Sequence, residues 1–344
     1  MSSRLNPNLR KLSKSSQLLS AEEYVEKILA GDRVALSQAI TLIESTASIH
    51  QELAQQIVEY CLPYSGKSKR IGITGSPGVG KSTFIEAMGQ YLIEHQDQKV
   101  AVLAIDPSSQ VHKGSILGDK TRMEKLSRLD KAFIRPSPAG DTLGGVARKT
   151  RESIVLCEAA NYDTILIETV GVGQSEIAVH SMVDCFLLLL LPGAGDELQG
   201  IKRGIVEMAD FVIVNKAEEE RIALAKNTKK AYRNALHLFP RKDSDWTSAI
   251  HTISALKHIG LEKLWEDIQA YFQHIVGNKY LEKHRNEQAT YWLHESIESG
   301  LKNWFYNDRL IKDKMKILEQ QVANKNISPF KAAADLLKQK LDHE

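Results

Sequence analysis

The eight residues Gly75-Ser76-Pro77-Gly78-Val79-Gly80-Lys81-Ser82 carry the clearest chemistry in the chain. They fit G-x-x-x-x-G-K-[ST] at every fixed position, a loop whose backbone N–H groups wrap phosphates. The spacing predicts a strand over Arg70–Thr74 before the loop and a helix over Thr83–Glu94 after it, and the helix N-terminus adds positive potential. Gly75, Pro77, Gly78, Val79, Gly80, Lys81, Ser82 and Thr83 are therefore candidate nucleotide-binding residues. Lys81 is placed to neutralise the β- and γ-phosphates, and the Ser82 hydroxyl to ligate Mg²⁺.

Magnesium prefers further hard oxygen ligands. The run AVLAI ends at Asp106 and the run TILI ends at Glu168. Parallel strands deliver their C-terminal ends to the ligand edge of a sheet, so both carboxylates approach the loop if their strands neighbour the first. Glu168-Thr169-Val170-Gly171 looks like the D-x-x-G switch of GTPases with Glu in the acidic place. The Gly171 N–H is then a candidate sensor of the γ-phosphate, and Gln174 a candidate for orienting water. Asn215-Lys216-Ala217-Glu218, after the apolar run FVIV, is one methylene from the guanine motif N-K-x-D. A carboxylate there accepts from guanine N1–H and N2–H₂, donors that adenine lacks. Ser254-Ala255-Leu256 fits the loop that supports the base.

These residues need a sheet to hold them. Apolar runs at Arg70–Thr74, Val100–Ile105, Ala132–Arg135, Thr164–Glu168, Cys185–Leu191, Phe211–Asn215 and His251–Ser254 read as strands, several without in/out alternation. That pattern suits a mainly parallel sheet buried on both faces, with helices between the strands. The expected fold class is α/β, a P-loop NTPase with N- and C-terminal helical extensions. Expected regions are a tail and helical extension over 1–66, the P-loop domain over 67–277 and a C-terminal helical dimerisation region over 278–344. Ser20 with Glu23 reads as a capping box, and Ser328-Pro329 as an N-cap with Pro at N1. Trp292, Trp304, Phe305 and Tyr306 are too apolar for a free tail, so the tail docks on the main domain or on a second copy.

With 45 Lys+Arg against 43 Asp+Glu, the net charge is +2, which argues against a nucleic-acid binder. The longest apolar run, Cys185–Leu191, is too short to cross a membrane, and the first 16 residues hold no signal-peptide core. Cys61, Cys157 and Cys185 are scattered and read as reduced, buried thiols of a cytoplasmic protein.

With these motifs in place, the chain resembles the methylmalonyl-CoA mutase-associated GTPases of MeaB type, also described as ArgK-like kinases of lysine/arginine/ornithine transport. The resemblance runs from about residue 20 to the C-terminus. Its segments are GITGSPGVGKST (72–83), AIDPSS (104–109), GSILGDKTRM (114–123), ETVGVGQSE (168–176) and LLPGAGDELQGIKRGIVEMAD (190–210). It implies a SIMIBI-class P-loop fold, a homodimer made by the C-terminal extension, bound GTP or GDP with Mg²⁺, and slow hydrolysis of GTP. It further implies a chaperone of an adenosylcobalamin-dependent acyl-CoA mutase, working with the mutase and its adenosyltransferase to gate cofactor loading. By motif match, Asp106, Asp119 and Glu168 are the acidic metal-site and switch residues, and Lys202 lies in the loop that couples nucleotide to mutase. Two segments depart from the family pattern: Glu218 stands for the usual Asp, and Gln110–Lys113 differs from the stretch expected after DPSS. The alternative is a kinase or ATPase linked to amino-acid transport, but no base poised at an acceptor hydroxyl is legible in the sequence.

Overall fold

A computed structural model describes residues 18–105, 123–136, 143–169, 175–193 and 203–342. Seven strands form one sheet: β1 Lys69–Gly75, β2 Val100–Ile105, β3 Ala132–Arg135, β4 Thr164–Thr169, β5 Cys185–Leu190, β6 Phe211–Val214 and β7 Ala249–Thr252. Their order is β3-β2-β4-β1-β5-β6-β7, and every neighbouring pair is parallel. Strands β2, β4, β5 and β6 are buried along their whole length, as the unalternating apolar runs require. The edge strand β7 is half-buried throughout. It covers Ala249–Thr252, two residues earlier than the expected His251–Ser254. Ser254 instead turns back to pair antiparallel with Ile259, closing a short loop.

Among the described residues three α-helices precede the sheet: α1 Ala21–Leu29, α2 Arg33–Glu44 and α3 Ser48–Cys61. Ser20 caps the first with the expected reciprocal bonds to Glu23, and Asp32 caps the second. Within and beyond the sheet follow α4 Lys81–Gln96, α5 Glu124–Ser127, α6 Leu143–Ala159, α7 Ser175–His180, α8 Arg203–Met208, α9 Ile222–Leu236 and α10 Leu261–Gly277. One apolar cluster joins α1–α3, α6, α7 and α8 to one face of the sheet. A second joins α4, α5 and α10 to the other face. Cys61, Cys157 and Cys185 are buried and free.

The C-terminal helices are α11 Tyr280–Tyr306, α12 Arg309–Ala323 and α13 Pro329–Asp342. The first half of α11 is fastened to the end of the sheet where the strands begin. Arg285 donates to both carboxylate oxygens of Asp184 at 2.8 and 2.7 Å and to the carbonyls of Ser68 and Gly66. Gln288 donates to Val183 O, Trp292 Nε1 donates to Ser181 O at 2.9 Å, and Arg151 pairs with Glu295. On the same helix Leu293, Ile297, Leu301 and Trp304 are exposed, while Phe305 joins a small separate core with Ile311, Leu318, Ala332 and Leu336. No helix among the described residues is long and apolar enough to cross a membrane.

Candidate functional site

The site lies where β1, β4, β5 and β6 end. Gly75 closes β1, and the loop over Ser76–Gly80 turns the chain into α4, whose first turn holds Lys81, Ser82 and Thr83. Gly80 stands at φ 92°, and a Cβ on it would lie 2.8 Å from Asn215 Nδ2. A side chain is thus refused on both backbone and spatial grounds. Lys81 is buried and donates from Nζ to Gly75 O at 2.8 Å and Ser76 O at 3.3 Å, which folds its ammonium over the loop. Burial lowers the Lys81 pKa, and the charges of Glu168 and Glu176 oppose that shift.

Register explains how the acid reaches the loop. Ile73 of β1 pairs with Glu168 of β4. Ser82 Oγ then donates to Glu168 Oε1 at 3.2 Å. These two oxygens suit a hard divalent cation such as Mg²⁺. The second acidic strand is one place further out: β2 pairs with β4 and not with β1, so the sequence expectation that both acidic strands could flank the first is corrected for β2. The doubly wound order sets β4 between them. Asp106, Asp119, Gly171, Gln174 and Lys202 lie outside the described residues.

The residues that the sequence analysis expects on the base side follow β6 and β7. Asn215 is buried; its Nδ2 donates to Val79 O at 3.0 Å and its Oδ1 accepts from Ala255 N–H at 3.1 Å. One side chain therefore ties the phosphate loop to the Ser254-Ala255-Leu256 loop. Lys216, at φ 59°, donates from Nζ to Gly78 O at 2.7 Å. Ala217 N–H donates to Ile253 O, which sets Glu218 beside the same loop, half-buried. Ser254 is buried and its Oγ accepts from Lys257 N–H, whereas Leu256 is exposed. Lys257 also pairs with Glu219 at 2.6 Å, joining the two loops at their rims.

Sequence reasoning gave no role to Glu176, at the first turn of α7. Its side chain is fully buried. The signal was a carboxylate two residues beyond Gln174 in ETVGVGQSE, at the start of a helix.

Comparison with known proteins agrees with this geometry. The family model described as "Methylmalonyl Co-A mutase-associated GTPase MeaB" matches residues 36–309. A putative GTPase of Caulobacter vibrioides is 47% identical over 319 residues, covering 93% of this chain and 97% of that one. The Mus musculus protein named methylmalonic aciduria type A homolog, mitochondrial, is 43% identical, covering 90% of this chain and 77% of that one. The crystal structure of a LAO/AO transport system kinase superposes with a TM-score of 0.72 at 34% identity, covering 94% of this chain and 99% of that one.

Proposed function

The chain belongs to the family of methylmalonyl-CoA mutase-associated GTPases, and from that premise we propose that it binds GTP with Mg²⁺ and serves an adenosylcobalamin-dependent acyl-CoA mutase. The enzyme class is GTP hydrolase. The observation that carries the guanine reading is the double hydrogen bond of Asn215, which locks the base-side loops onto the P-loop. In that frame Asn215, Lys216, Glu218 and the Ser254–Leu256 loop hold the base. Glu218 keeps the carboxylate that reads guanine N1–H and N2–H₂.

Gly75, Gly78, Val79 and Gly80 offer backbone N–H groups to the phosphates, and Lys81 turns from its own loop carbonyls to the β- and γ-phosphates. Ser82 and Glu168, with Asp106 and Asp119, hold the magnesium ion. That ion, when bound, neutralises charge on the phosphate oxygens. Gly171 senses the γ-phosphate, and Lys202 belongs to the loop through which a bound mutase accelerates hydrolysis. A gating chaperone of cofactor loading, in contact with the mutase and its adenosyltransferase, is the role these parts fit. It is supported by the family description and by the mouse relative's name. The chain acts in the cytoplasm as a homodimer built on its C-terminal helices. A transport-linked kinase is the second reading, favoured by the name of the superposing crystal structure; no acceptor-side base is evident among the described residues.

Calorimetry tests the base assignment. The parent chain is expected to bind GTP well above ATP, and Glu218→Ala to bring the two affinities together. A parent chain that binds ATP as tightly as GTP contradicts it.

A further inference from the structure

Two loops frame the base side of the site, and hydrogen bonds tie them together from the core outward. The first follows β6 and runs from Asn215 to Arg221; the second follows β7 and runs from Ile253 to Ile259. Beside the P-loop, Asn215 Oδ1 accepts from Ala255 N–H at 3.1 Å. Two residues on, Ala217 N–H donates to Ile253 O at 2.9 Å. Two residues further, Glu219 Oε1 accepts from Lys257 Nζ at 2.6 Å. Burial falls along the first loop: Asn215 is buried, Ala217 and Glu218 are half-buried, and Glu219 is exposed.

The second loop is pinned at its base. Ser254 and Ile259 exchange backbone hydrogen bonds at 3.1 and 3.0 Å, and Lys257 N–H donates to Ser254 Oγ at 3.1 Å. Lys257 therefore reaches Glu219 from a closed backbone. The first loop bends sharply just after the base-side carboxylate. Glu218 is extended, at φ −133° and ψ 146°, and its carbonyl accepts from Arg221 N–H at 3.0 Å. Glu219, the next residue, stands at φ 50°. A positive φ at that place in a turn is the domain of Gly, Asn or Asp. In glutamate the Cβ crowds the following carbonyl oxygen. Such a conformation persists where surrounding contacts over-determine it. The Lys257 ammonium supplies one such contact, on the Glu219 side chain itself.

We propose that Lys257 is a positioning residue for base selection: by holding Glu219 it fixes the left-handed turn that presents Glu218 to the guanine edge. The proposal rests on the guanine reading of Glu218. It also accounts for a glutamate in the place of the N-K-x-D aspartate. A carboxylate on a longer side chain has more conformers to lose on binding, so a backbone held in advance matters more.

Calorimetry on the full chain with GDP and with ADP isolates the base, because both nucleotides carry the same diphosphate. Lys257→Met is expected to lower the preference for GDP over ADP about threefold, the scale of an exposed ion pair. Lys257→Arg keeps the cation and should keep the parent preference. Glu219→Gln should match the loss in Lys257→Met, and the double variant should lose no more than either, because one tie is removed once. The tie is exposed, so added salt should bring the parent ratio towards that of Lys257→Met and leave the variant's ratio in place. Loop packing alone would weaken GDP and ADP together and leave the ratio unmoved. An unchanged ratio in Lys257→Met, or additive losses in the double variant, overturns the proposal. Failure of the guanine reading looks different, because the parent chain itself would then bind ADP as tightly as GDP.

Discussion

Ser82 Oγ donates to Glu168 Oε1 at 3.2 Å, although 86 residues separate them in sequence. The contact exists because β4 inserts beside β1, with Glu168 opposite Ile73, while the P-loop returns Ser82 over the end of the same strand. A hydroxyl and a carboxylate brought together at a phosphate-wrapping loop are two of the protein oxygens from which the proposed magnesium site is built.

If that site is correct, Glu168→Ala removes a group that acts on the metal-bound phosphates more than on the nucleotide as a whole. GTP turnover should fall by about a hundredfold or more, while GDP affinity stays within about tenfold of the parent. The magnesium concentration giving half-maximal turnover should rise. Phosphate-release assays over a magnesium titration check this. Unchanged turnover, or an unchanged magnesium requirement, contradicts the assignment.

Asn215 is expected to matter for stability and for binding at once. Asn215→Ala leaves Val79 O and Ala255 N–H without their buried partner, at a cost of about 1–3 kcal/mol. Tm should drop in the nucleotide-free chain, and GTP affinity should drop by about tenfold or more because two loops lose their common tie. Scanning calorimetry with and without GDP reads both effects. A variant with parent Tm and parent affinity would show that the bridge holds neither loop.

Several of these relationships were legible in the sequence and several were not. The P-loop, the Asn215 motif and the Ser254 loop are short, contiguous patterns whose chemistry fixes residue types, so they announce themselves. Strands β5 and β6 are legible for a related reason: burial on both faces writes an unbroken apolar run. The edge strand is different. In Ala249–Ser254 half-buried and buried residues mix, so the apolar pattern cannot tell the ladder from the loop that follows, and the reading slipped by two residues. Arg70 with Glu158 and Arg285 with Asp184 are buried ion pairs between distant segments, and distance in sequence hides them. Glu176 was hidden differently. One carboxylate at a helix start ordinarily faces water, and only the placement of α7 over Gly72 turns it inward.

The outer half of α11 presents Leu293, Ile297 and Leu301 at a spacing of four, so they line one side of the helix. They are 58%, 50% and 57% exposed, beyond the anchor that fixes the inner half to Asp184 and Ser181. An apolar stripe on a helix held this firmly suits a two-fold contact with a second copy. Changing all three to Ser should convert a dimer into a folded monomer without loss of Tm beyond about 2 °C. Light scattering at micromolar concentration checks it. A parent chain that is monomeric there contradicts the assignment of this surface.

The proposed function makes this chain a guanine-selective P-loop hydrolase that answers to an acyl-CoA mutase. Its most direct test is phosphate release from GTP and from ATP, side by side, with magnesium, before and after addition of an adenosylcobalamin-dependent acyl-CoA mutase. The predicted result is slow release from GTP alone, little or none from ATP, and an acceleration of GTP hydrolysis when the mutase is added. Release from ATP as fast as from GTP, or a GTP rate that none of the acyl-CoA mutases of this class changes, would contradict it.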